Sequence, residues 1–111
     1  MKVDVQRHGS VTVVVPRGVI TEPEIEPLQR TLTPELKQSG SRLVVDMTHV
    51  PYVDSAGIEY LLSLAGSAPS VGLRPRVAAV TDVVREALDL TDTLKRFYRF
   101  ETVEGAVRSY M

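Results

Sequence analysis

Cysteine and tryptophan are both absent from the 111 residues. Without thiols the chain can build no disulfide framework, no thiolate zinc site and no cysteine nucleophile, a usage that fits a reducing compartment. Aromatic residues make up only 5%, few for a surface that stacks unpaired bases. Neither sign of charge is in excess: 13 lysines and arginines face 14 aspartates and glutamates, for a formal net charge of -1. Such a balance gives no bulk attraction to nucleic acid or anionic lipid. Long apolar runs are missing too, the longest falling far short of the roughly 20 residues that cross a bilayer. The opening residues Met1-Lys2-Val3-Asp4-Val5 lack the basic-then-apolar order of a secretory leader. The expectation is a cytoplasmic protein with no membrane insertion and no metal or cofactor, whose specificity lies in a local protein-binding surface.

What is present is a hydrophobic content of 43% with 24% charged residues, enough for one globular domain over residues 1–111. Residues 3–15 read as a hairpin, with Val3-Asp4-Val5-Gln6-Arg7 alternating, a turn at His8-Gly9-Ser10, and the β-branched run from Val11 ended by Pro16. Ile25, Leu28, Leu32 and Leu36 make one helical stripe over residues 23–38, entered at Thr21 as cap. Pro34 removes a backbone hydrogen bond there, so a kink or two short helices are expected. Ser39-Gly40-Ser41 breaks the chain before Leu43-Val44-Val45, whose lack of alternation suits a strand covered on both faces. After a loop at residues 66–72, residues 75–80 return as a strand. Thr81-Asp82 then caps a helix with Val83, Val84, Ala87, Leu88 and Leu90 on its apolar side. Leu94 and Phe97 pack beyond that helix, residues 98–101 form a last strand, and Thr102 caps a final helix through Ala106, Val107 and Tyr110. Strands and helices alternating at this density predict an α/β layer fold with mostly parallel central strands.

The most informative stretch is residues 44–62. A buried strand ending at Asp46 leads through a connector to Asp54-Ser55-Ala56-Gly57, after which Ile58, Leu61, Leu62 and Ala65 recur at i, i+3, i+4 and i+7. A helix therefore starts near Asp54 or Ser55. Its first N–H groups have no partner within the helix and favour an Asp or Ser oxygen, or an anion.

Asp54-Ser55-Ala56-Gly57-Ile58, preceded by Leu43-Val44-Val45-Asp46-Met47, resembles the signature of STAS domains, specifically the bacterial anti-sigma factor antagonists. The resemblance runs nearly end to end, with the Asp-Ser-Ala-Gly core as its specific part. It implies a single-domain STAS-like fold with a mixed four- to five-stranded sheet and about four helices. It further implies that Ser55 is the acceptor for a kinase that is also an anti-sigma factor. Asp54, Ser55, Ala56, Gly57 and Glu59 would then form the partner-binding surface, and a serine phosphatase would be a second partner. The resemblance also admits a STAS subunit of a stress-signalling scaffold or of a lipid-transport ATPase complex. Two departures stand out: Thr21 replaces the Asp common before the first helix, and Glu59 stands where relatives often carry a small residue.

Plainer readings exist for each residue. Asp54 and Ser55 can be helix caps and no more, and Gly57 can either admit a partner's close approach or only loosen packing. Asp46 is better placed to accept N–H groups of the connector than to bind a metal. His8 and His49 with Ser55 evoke a hydrolytic triad, but no Gly-x-Ser-x-Gly elbow is present and no enzymatic activity is expected. Arg74, Arg76, Arg96 and Arg99 read as ordinary surface charges.

Overall fold

The computed structural model describes residues 1–38, 40 and 42–111, so the expected break at Ser39 and Ser41 lies outside the described residues. The first strand, β1 (Lys2–His8), turns back at Gly9 into β2 (Val11–Arg17), pairing antiparallel from Lys2 opposite Arg17 to His8 opposite Val11. Gly9 sits at φ +65, the left-handed turn geometry that glycine adopts without a steric penalty. The sequence places the end of β2 at Pro16, but the strand runs on to Arg17 with Pro16 buried opposite Val3. The parallel neighbour on the other side pairs only with Thr12, Val13 and Val14, so at Pro16 that flank needs no N–H from β2.

The next strands are β3 (Leu43–Asp46), β4 (Arg76–Ala78) and β5 (Tyr98–Phe100), each parallel to the one before, giving the spatial order β1-β2-β3-β4-β5. The helices are α1 (Glu22–Gln38), α2 (Ser55–Gly66), α3 (Asp82–Leu90) and α4 (Val103–Arg108), with short 3-10 turns at Val71–Leu73 and Thr93–Arg96. Stepping always to the next strand by the right-handed crossover sends α1, α2 and α3 to one face. One core layer accordingly joins Val14, Val45 and Val77 of the sheet to Leu28 and Leu32 of α1, Leu61 and Leu64 of α2 and Val84 and Leu88 of α3. The opposite face packs Val11, Val13, Val15 and Val44 against Ala106 and Val107 of α4. This is the mixed-sheet α/β architecture the sequence implied.

Three local expectations fail for physical reasons. Of the two outcomes expected for α1, a kink or two short helices, the second does not occur: one 17-residue helix runs through Pro27 and Pro34. Each proline costs about 3 kcal/mol, and the buried stripe that includes Leu28 and Leu32, both 1% exposed, returns roughly 1.5–3 kcal/mol per side chain. On α3, Val83 (61% exposed) and Leu90 (82%) face outward, while Val84 and Leu88 are buried in the core and Ala87 packs against it. Arg76 is buried rather than a surface charge. Its guanidinium lies 3.8 Å from the Tyr110 ring centre and 4.7 Å from that of Tyr98, and donates to the carbonyls of Gly72 and Arg74 and to the Ser109 hydroxyl. The Tyr110 hydroxyl in turn donates to the Leu43 carbonyl at 2.9 Å and accepts the Leu43 N–H.

Candidate functional site

Parallel strands end together at one edge of the sheet, and loops there are the usual place for a site. At this edge β3 ends in Asp46, whose carboxylate accepts the Thr48 N–H at 3.0 Å and also the Thr48 hydroxyl, the turn-forming role preferred for it over metal binding. The connector then runs alongside the segment leaving β2. The Gly18 N–H donates to the His49 carbonyl, the Ile20 N–H to the Tyr52 carbonyl and the Asp54 N–H to the Ile20 carbonyl. Ile20 and Val53, bridged in parallel, are both buried. From the far side, the Thr81 hydroxyl donates to the Val50 carbonyl at 3.0 Å instead of capping α3. The connector is thereby fixed on two sides.

Asp54 is the N-cap of α2, in extended geometry. One carboxylate oxygen accepts the Gly57 N–H at 2.8 Å, and the other accepts the N–H of Glu22, first residue of α1, at 3.0 Å. One side chain therefore caps two helices. Sequence reasoning assigned the start of α1 to Thr21, whose recorded contribution is its backbone carbonyl, accepting from Glu24. Nothing local signals the second role of Asp54, because its partner lies 32 residues away.

Ser55 follows as the first residue of α2, exposed, with no hydrogen bond to its hydroxyl among the described residues. Ala56 is half-buried and Glu59 exposed on the same helix. Gly57 is buried, and a Cβ there would stand 2.2 Å from the Ile20 carbonyl oxygen. The close approach expected from a partner or phosphate thus comes from the chain's own backbone. Asp54, Ser55, Ala56 and Glu59 share one surface, and Gly57 lies beneath it. Tyr52 (51% exposed) and Val19 (39%), on segments joined by the Ile20–Tyr52 hydrogen bond, add apolar surface beside the site.

No hydrolytic triad forms. His8 ends β1 at the opposite edge of the sheet, roughly 20 Å away along a seven-residue strand, and no hydrogen bond joins His49 to Ser55 among the described residues. Among the described residues there is also no group of three or more His, Asp or Glu placed to hold a metal ion, and no helix long and apolar enough to cross a membrane.

Comparison with known proteins agrees with this architecture. The STAS domain model matches residues 2–106. Among solved structures, the proposed anti-sigma factor antagonist of Thermotoga maritima superposes with a TM-score of 0.87 at 15% identity, covering 97% of this chain and 93% of its own. An anti-sigma factor antagonist from Mycobacterium paratuberculosis gives 0.84 at 22% identity, with 98% and 92% covered. The anti-sigma factor antagonist SpoIIAA in its unphosphorylated form gives 0.77 at 14%, with 96% and 93% covered. A search of curated protein sequences returned no match.

Proposed function

The chain belongs to the STAS domain family, and from that premise we propose that residues 1–111 act as one such domain, an anti-sigma factor antagonist working by partner switching. Unphosphorylated, it binds an anti-sigma factor that is also a serine kinase. Phosphorylated on Ser55, it is released until a phosphatase restores it. The chain catalyses nothing in this scheme. The observation that carries the reading is the Ser55 hydroxyl, exposed and without a hydrogen bond among the described residues, on a helix start held by Asp54. That the solved relatives include anti-sigma factor antagonists, one of them described in an unphosphorylated form, supports it.

The energetics favour a switch over a structural change. A phosphoserine brings a charge of about -1.5 to -2. In the free domain the α2 N-terminus favours that anion by roughly 0.3–1 kcal/mol, offset by the nearby carboxylates of Asp54 and Glu59, so the fold is left nearly as stable. In a packed interface the same dianion loses its water, which costs several kcal/mol unless a cation meets it, more than enough for a hundredfold loss of affinity.

Ser55→Ala and Ser55→Asp test this directly, with the anti-sigma kinase captured from native lysate as the binding partner. The Ala variant is expected to bind constitutively and to escape phosphorylation, and the Asp variant to bind at least tenfold more weakly at a near-normal melting temperature. Equal, tight binding by both variants overturns the switch. A large fall in melting temperature for Ser55→Asp assigns Ser55 to a structural cap instead.

A further inference from the structure

Away from Ser55 the same face continues into an open groove of about 610 Å3 between α1 and α2. Ile25, Ala56 and Tyr60, all half-buried, give it an apolar floor, and the exposed side chains of Glu22, Glu26 and Glu59 stand along it. Among the described residues no lysine or arginine lines it. Of these carboxylates Glu26 alone has a cationic partner among the described residues, an exposed Arg30 at 2.9 Å one helical turn further on. Burial pushes the Tyr60 phenol up to about 12, so the floor stays uncharged at any physiological pH and the field in the groove is that of the carboxylates. Ala56 and Glu59 belong both to this groove and to the surface beside Ser55, so the two are continuous.

We propose that this groove docks an amphipathic helix of the protein partner, with arginine or lysine side chains meeting Glu22 and Glu59 and apolar side chains seated on Ile25 and Tyr60. An apolar strip flanked by charge of one sign is the arrangement that receives a helix in a groove. Uncompensated carboxylates select a basic occupant, raising its association rate and excluding acidic competitors. The proposal rests on the partner-switching reading for the identity of the partner, but the groove's preference for a basic helix is tested without that partner.

The probe is a synthetic amphipathic helical peptide with arginines at i and i+4 opposite a leucine face, added to the isotope-labelled full chain and followed by amide chemical shifts. A peptide with glutamate in place of each arginine is the control. Shifts are expected in residues 22–29 and 56–63, to weaken as salt is raised, and to fall at least tenfold in affinity in Glu22→Lys/Glu59→Lys and in Glu59→Lys alone. Glu86→Lys on α3, away from the groove, is expected to bind the arginine peptide as the parent does. Equal binding of the glutamate peptide, shifts centred elsewhere, or undiminished binding by Glu59→Lys in a folded protein overturns the proposal. If the lysine variants lose the arginine peptide while Ser55→Asp still binds the captured kinase tightly, the groove stands and the phosphorylation switch falls.

Discussion

Gly57 shows how much of the site depends on one missing methyl group. In an exposed helix, Gly→Ala stabilises by up to about 1 kcal/mol. Here the new Cβ would meet the Ile20 carbonyl oxygen at 2.2 Å and its carbon at 3.2 Å, backbone atoms held by the Ile20–Tyr52 and Asp54–Ile20 hydrogen bonds. Overpacking against a fixed neighbour costs typically 1–3 kcal/mol, so Gly57→Ala should destabilise by about 2 kcal/mol and lower the melting temperature by roughly 8–16 °C at this chain length. Thermal unfolding followed by circular dichroism measures it. A rise in melting temperature would mean that the helix start moves away from Ile20 without difficulty. At this scale the sequence was legible where a residue's partners are close in the chain. The cap at Asp54 and the turn at Asp46 bond to residues three and two positions on. The setting of Gly57 was not legible, because Ile20 lies on another segment.

Among elements, the tie between α1 and α2 matters most. Each lost cap costs about 1 kcal/mol, up to 2 in proteins, so Asp54→Ala should cost roughly 2–3 kcal/mol, and Asp54→Asn, which keeps one acceptor oxygen, about half of that. Hydrogen exchange locates the effect. In the Ala variant the amides of Glu22 and Gly57 should both exchange faster, though they open different helices. Faster exchange at Gly57 alone would show that α1 starts without help from Asp54. Helix periodicity placed α2 correctly, since Leu61 and Ala65 are buried in the core and Ile58 packs against it, and the missing alternation placed the strand before it, whose Val44 and Val45 face opposite layers. Sequence reasoning left two short helices open for α1, where the buried Leu28 and Leu32 instead hold one helix together through both prolines, and it misjudged part of α3, where Val83 and Leu90 are apolar yet uncovered. The groove between α1 and α2 was illegible, since its walls come from segments about 35 residues apart.

For the whole molecule, buried phenols set an alkaline limit. The Tyr60 value, pushed up to about 12, and that of Tyr110, also raised, both owe their shift to burial. Unfolded tyrosine ionises near 10. The native state therefore keeps protons that the unfolded chain releases, so this stability is fully present below pH 10 and is lost as pH rises through 12. Urea unfolding between pH 9 and 11.5 should show a falling midpoint, with a shallower fall in Tyr60→Phe and some decline remaining from Tyr110. An unchanged slope in Tyr60→Phe would place Tyr60 in water. The burial of Arg76 belongs to this scale as well, because the rings that sandwich it, Tyr98 and Tyr110, come from the far end of the chain. The strand order β1-β2-β3-β4-β5 has a further consequence. No strand is inserted between two earlier ones, so each newly made strand and helix can dock on a sheet already standing, in the direction of synthesis. The last helix then reaches back to the middle, with Ala106 and Val107 packed on Val44 and the Tyr110 hydroxyl bonding the backbone of Leu43. The topology thus permits assembly like a zipper from the hairpin outward, with that tyrosine as the clasp that closes over the central strand.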